Sequence, residues 1–187
     1  MVDVALTVLS LLGFLLSTAT LKCLSRAADR HSRPLATYTL VTWLLVVNLF
    51  SLVDSFIWRG DDPSTWWDGR VYCYVVSKIK LEWRIGVCGS AIGISRYLTE
   101  IMDPKLNHTA HHRDNRAKRN LIDASVGIGL PVLNVVFHFI VEPSRYSIMG
   151  VYGCKSGTRM VWPAFPLYFL WDPVLSLIAS IYCCKPR

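Results

Sequence analysis

The stretch LATYTLVTWLLVVNLFSLVDSFIW, Leu35 to Trp58, decides the fold. Asp54 is its only charged residue, and as a helix rising 1.5 Å per residue the run is long enough to cross a hydrocarbon core of ~30 Å. A strand of a membrane barrel would be about half that length and would alternate apolar with polar side chains. Lipid offers no partner to a backbone N–H or C=O, so an uninterrupted apolar run of this length is a helix. Outward from it, Val4 to Leu21, Leu121 to Val141 and Val161 to Cys184 repeat the pattern, and Val71 to Leu98 has the length but carries charges. The expected class is all-α: a polytopic transmembrane helix bundle with spans at 4–21, 35–58, 71–98, 121–141 and 161–184. Short polar loops join the spans. No linker, repeat or low-complexity tract marks off a second module, so 1–187 reads as a single transmembrane domain.

Composition agrees. Hydrophobic residues make up 52% of the chain, which has seven Trp and a mean hydropathy of +0.36, values that argue against a water-soluble monomeric globule. A net charge of +7 would suit nucleic acid, but the placement of the basic residues assigns it to topology and leaves no nucleic-acid partner to invoke. Twelve Lys and Arg fall between Lys22 and Arg33, between Arg96 and Arg119, and at Lys185 and Arg187, whereas the alternate loops hold only Arg59, Arg70, Arg145, Lys155 and Arg159. Basic loops are retained in the cytoplasm, which puts the N-terminus outside, and an odd number of spans delivers that parity. No basic n-region precedes Val4 and the apolar run exceeds the usual leader length, so the first run reads as a span.

The third span carries Lys78, Lys80, Glu82 and Arg84. A charged group at mid-membrane costs roughly 2.5 to 3.5 kcal/mol on insertion scales, so this helix must be shielded by neighbours. At 100° per residue Lys78 and Glu82 share one face and can pair, whereas Lys80 and Arg84 share a nearly opposite face and need carboxylates, carbonyls or water on other helices. Asp54, Asp123 and Asp172 are the candidate partners. A helix polar on two sides belongs at the centre of a bundle, unless the charges lie near the boundary and snorkel. Asn48, Asn134 and His138 are further intramembrane polar groups, suited to interhelical bonds or a cavity lining, and Pro131, Pro166 and Pro173 favour kinks.

By depth, Cys73 and Cys154 both fall on the oxidising side and are expected to form a disulfide. Cys183 and Cys184, beside Lys185 and Arg187, suit palmitoylation or simple burial at a helix end. Cys23 and Cys88 read as packing residues. Asn107-His108-Thr109 has the glycan-acceptor form but lies on the cytoplasmic side. His108, His111 and His112 have only Asp114 for company and read as a solvated basic loop, so no metal is expected. No P-loop, nucleophile elbow or HExxH occurs, which points to neither an enzyme nor a cofactor.

Several blocks together look like something specific: Asn48-Leu49-Phe50, Asp54-Ser55 and Ile57-Trp58, then Trp67-Asp68-Gly69-Arg70-Val71-Tyr72-Cys73. Further along come Ile94-Ser95-Arg96-Tyr97-Leu98, Gly129-Leu130-Pro131-Val132, Arg145-Tyr146 and Gly153-Cys154. In this order they resemble the fungal mating-pheromone receptors of the lipopeptide (a-factor) type, a branch of the seven-helix G-protein-coupled receptors. The resemblance implies a plasma-membrane receptor for a prenylated peptide pheromone, embedded in membrane lipid and coupled to a heterotrimeric G protein. The charged Lys80-Leu81-Glu82-Trp83-Arg84 departs from the apolar, small-residue middle usual in that family's third helix. The chain stops after the fifth of seven helices, so a truncated or partial form is expected.

Ligand recognition would then fall to the outer loops and upper helices, at Asp54, Trp58, Trp66, Trp67, Asp68 and Tyr72. A prenylated peptide needs an apolar, aromatic surface with a few polar anchors. For Trp58 and Trp66 the alternative is an interfacial aromatic belt. On the inner side Arg96, Arg113, Arg116, Lys118 and Arg119 would meet the G protein, or serve topology and anionic lipid. The competing class is a small transporter or channel subunit with Lys78, Glu82, Asp123 and His138 as an ion path, though no inverted repeat supports it.

Overall fold

The computed structural model describes residues 2–27, 35–58, 67–102, 112–141, 147–149, 153–156, 162 and 170–184. The helical class expected from the sequence is the class observed. Helix α1 runs Val2–Ala27, α2 Leu35–Ile57 and α3 Arg70–Met102. Helix α4, His112–Ala124, continues through a π-helical turn at Ser125–Gly129 into α5, Leu130–Val141. Helix α6 is Trp171–Cys184, with Pro173 in its first turn, where the missing N–H removes no intrahelical bond. Among the described residues, Val4–Arg26, Leu35–Ile57 and Lys118–Phe139 are long and apolar enough to cross a membrane. The chain is a multi-pass membrane protein.

One element was not anticipated. Strands β1, Ser147–Met149, and β2, Gly153–Lys155, pair antiparallel with Ile148 opposite Cys154. Three-residue strands carry too little period-two pattern to register in a sequence read for spans.

Helix α3 occupies the centre, packed by α2, α5, the π-turn, α6 and β2, while α1 packs mainly on α2. Small residues allow this crowding. Gly86, Gly89 and Gly93 form one stripe of α3. A Cβ at Gly86 would run into the Trp43 ring, and one at Gly93 would come within 2.7 Å of the Ala36 Cβ. Close backbone approach through small residues is the usual way helices pack where the solvent is lipid. Beyond that stripe Ile85 and Ile92 of α3 bury against Leu175 of α6, with Cys88 and Leu130 alongside. Cys23, read from sequence as a packing residue, is exposed on α1.

The π-turn holds a carbonyl that needs a donor from another helix. Pro131 has no N–H to donate, so the carbonyl four residues back, at Gly127, loses its helical partner. The Trp43 indole N–H replaces it, donating to the Gly127 carbonyl at 2.9 Å. A side chain of α2 thereby satisfies a backbone group freed in the α4–α5 helix, as a helix break in lipid requires.

Candidate functional site

At the end of the bundle where α2 finishes, α3 begins and the hairpin lies, the charges of two helices converge on Asp54. This carboxylate is fully buried. One oxygen accepts the Tyr72 hydroxyl at 2.8 Å and the other the Lys80 ammonium at 2.5 Å. Tyr72 and Lys80 lie two turns apart on α3 and straddle Asp54 along the helix axis. Strand β2 closes the cluster from above. Gly153, at φ +66°, sits so close to Asp54 that a Cβ there would overlap the carboxylate. Both the positive φ and the lack of space demand glycine.

Around Tyr72 gathers an aromatic group, with ring centroids at 6.4 Å for Phe50, 6.0 Å for Trp58 and 6.1 Å for Trp67. Trp58 is fully buried against the disulfide that joins Cys73 and Cys154, with Cα atoms 5.0 Å apart. The bond ties the first turn of α3 to β2 across 81 residues. Closing a loop of that size removes on the order of 4 kcal/mol of chain entropy from the unfolded state. The Trp58 indole N–H is buried without a hydrogen-bond partner among the described residues. Trp67 is 56% exposed and Asp68 is exposed, bridged to Arg70 at 2.6 Å. Of the six residues singled out in the sequence, then, Asp54 and Tyr72 share one hydrogen-bonded cluster and Trp58 is packed beneath it. Trp67 and Asp68 face outward, and Trp66 lies outside the described residues.

Deeper in the bundle α3 directs two charges at α5. The Lys78 ammonium lies 2.9 Å from His138 Nδ1 and over the Phe139 ring at 4.8 Å, and both oxygens of Glu82 accept from the Asn134 amide at 3.0 and 2.9 Å. All four of these polar side chains are buried. Beside them α2, α3 and α5 leave a cavity of about 330 Å³. Lys78, Lys80 and Glu82 of α3 are thus partnered across helices, with Asp54, one of the candidate carboxylates, serving Lys80. Asp123 instead faces Arg96 at 3.7 Å, and the side chain of Asp172 lies outside the described residues.

The opposite end of the bundle is basic. Arg119 stacks over the Tyr97 ring at 5.1 Å, Arg96 pairs with Asp123, and Lys118 is exposed. Arg113 and Arg116 lie on α4 with side chains outside the described residues, as are His108 and His111 altogether. Among the described residues no three His, Cys, Asp or Glu side chains gather as a metal site. Sequence reasoning gave Trp43 no role and noted Gly153 only as part of the Gly153-Cys154 block of the resemblance. Pro131, four residues after Gly127, was a signal that some donor must replace a lost N–H, but not which residue would supply it.

The family model described as "Pheromone A receptor" matches residues 5–185. The "Pheromone a factor receptor" of Saccharomyces cerevisiae is 27% identical over 173 residues, which cover 92% of this chain and 36% of that protein. "Pheromone receptor 2" of Mycosarcoma maydis is 33% identical over 110 residues, 59% of this chain and 31% of its own length. The "Pheromone M-factor receptor" of Schizosaccharomyces pombe is 27% identical over 156 residues, 81% of this chain and 40% of its own. The chain spans about a third of the length of the curated relatives first matched. No solved structure matches.

Proposed function

Because the chain belongs to the pheromone A receptor family, we propose that it acts as, or as part of, a plasma-membrane receptor for a prenylated peptide mating pheromone, signalling through a heterotrimeric G protein. The observation that carries this reading is the cluster of Asp54, Tyr72 and Lys80 under a disulfide-tied hairpin, with Trp67 exposed beside it. An exposed indole in tilted contact with a tyrosine that holds a buried carboxylate joins apolar contact surface to a polar network running two turns into the bundle. In this reading Trp67 and Asp68 contact the peptide, and Tyr72 and Asp54 couple that contact to α2 and α3. Trp58 supports them from below. The N-terminus lies outside the cell, so that the hairpin faces the ligand, and Arg96, Arg113, Arg116, Lys118 and Arg119 face the G protein.

A conducting path finds less support. Asp123 and Asn134 lie eleven residues apart on one helix, roughly 16 Å at 1.5 Å per residue. Asp123 with Arg96 therefore forms a group separate from Glu82, Lys78 and His138.

Binding decides the matter. Membranes carrying the protein should bind a synthetic farnesyl-cysteine methyl ester peptide of pheromone type saturably. Trp67→Ala should weaken binding about tenfold, which is 1.4 kcal/mol. Absence of saturable binding across a panel of such peptides, with the protein correctly inserted, would sink the receptor reading.

A further inference from the structure

The cavity between α2, α3 and α5 lies apart from the Asp54 cluster. Besides the Tyr74 hydroxyl its lining holds three polar side chains, and each of these three is already engaged: Lys78 with His138, Glu82 with Asn134, and the Trp43 indole with the Gly127 carbonyl. A peptide segment entering the cavity would lose its water and find these groups committed elsewhere, which disfavours polar occupants. The rest of the lining is apolar or aromatic, and its rim is formed by Val75 and Val132, which are 49% and 59% exposed. Val132 continues into the exposed apolar face of α5 at Val136 and Phe139, so the mouth opens sideways onto the band that faces lipid.

The dimensions suit a single hydrocarbon chain. About 330 Å³ at roughly 30 Å³ per water-sized group gives room for about ten methyl or methylene groups, about two of the three isoprene units of a farnesyl chain. Along α3 the cavity begins at Tyr74, two residues beyond Tyr72 of the Asp54 cluster, and runs to Glu82, a length of roughly 12 Å. A ligand whose polar part engages the hairpin end can therefore place an attached chain in the cavity by way of the bilayer.

We infer that this lateral cavity is the seat of the ligand's isoprenoid tail, inserted between α3 and α5 from the membrane. The inference rests on the receptor reading for the identity of the tail. The chemistry of the cavity itself requires only a hydrocarbon chain.

A diazirine-bearing farnesyl-cysteine methyl ester is the probe, used on the full chain in native membranes. Photolysis should label the peptides containing Val75 to Ile79 and Val132 to Val135. Excess unlabelled farnesyl-cysteine methyl ester should abolish the labelling, and excess palmitic acid should not. Val132→Trp, which fills the mouth, should cut labelling at least tenfold, while Leu177→Trp on the exposed face of α6 should leave it unchanged. If Val132→Trp does not accumulate, Val75→Phe serves the same purpose. Equal labelling by a diazirine palmitate probe would assign the cavity to bulk lipid and overturn the inference, as would labelling confined to other helices. Pheromone binding that survives Val132→Trp undiminished would overturn it too, while leaving the receptor reading intact. Competable labelling of the cavity without any peptide binding would uphold the hydrocarbon site and sink the receptor reading alone.

Discussion

Lys80 and Asp54 meet at 2.5 Å across the α2–α3 interface, with the carboxylate side chain fully buried and that of the lysine 19% exposed. The pair is more than a neutralised charge, because the same carboxylate also holds the Tyr72 hydroxyl. Desolvating two ions is expensive, and burying such a pair is favourable only when the remaining lone pairs find hydrogen bonds. Tyr72 fills that requirement, and so links the charge of α3 to the aromatic group at the bundle's end.

Breaking the pair from one side should therefore be costly. Asp54→Asn keeps an acceptor for Tyr72 but strands the lysine, and should lower stability by on the order of 3 kcal/mol. Thermal unfolding of the detergent-solubilised protein should show this as a large drop in melting temperature. Asp54→Asn combined with Lys80→Met should be less harmful than Asp54→Asn alone. Additive losses would show that the two residues act independently.

Trp43 and Pro131 should be coupled although they sit on different helices. Trp43→Phe leaves the Gly127 carbonyl buried without its donor, at a cost of roughly 1 to 3 kcal/mol. Pro131→Ala restores a backbone N–H to the helix, so Trp43→Phe should be milder in that background. A double-mutant cycle on unfolding would measure the coupling, and a value near zero would refute the exchange of donors at Gly127.

Gly153→Ala should fail for two reasons at once, the positive φ and the collision with Asp54. Its surface expression should fall to the level of Cys73→Ser, and the double variant Cys73→Ser/Cys154→Ser should be no worse than either single cysteine change. Normal surface amounts of Gly153→Ala, or two free thiols at Cys73 and Cys154 in the folded, non-reduced protein, would contradict the arrangement.

Topology can be tested on the glycan acceptor the chain already contains. With the N-terminus outside, Asn107-His108-Thr109 stays unmodified, while an acceptor sequence inserted near Asp62 or Ser156 gains a glycan visible as an endoglycosidase-sensitive mass shift. A glycan on Asn107 in the native sequence would invert the assignment.

What could be seen in the sequence follows the range of the forces involved. The helical class was legible because length and apolarity are local and lipid tolerates few alternatives. That the charges of α3 needed partners on other helices, with Asp54 among the candidates for Lys80, was legible from the cost of a charge in lipid. Which polar residues of α5 would meet Lys78 and Glu82 was not, because it depends on how the helix is rotated after the π-turn. Trp58, at the end of a span, and Trp67, in the outer loop that follows, both read as ligand-binding candidates. Only the disulfide and the hairpin, joining segments 81 residues apart, bury one and leave the other exposed.

The hairpin is anchored unusually close to what it covers. Gly153 caps Asp54, and the very next residue, Cys154, is bonded to Cys73 at the root of α3. An anchor one residue from its load leaves almost no lever arm, so β2 cannot swing clear of the carboxylate as a door would. Access to Asp54 comes instead from rotation of a single peptide unit or from displacement of the Tyr72 ring. Displacing the Tyr72 ring would therefore break its hydrogen bond to Asp54 while Gly153 still covers the carboxylate.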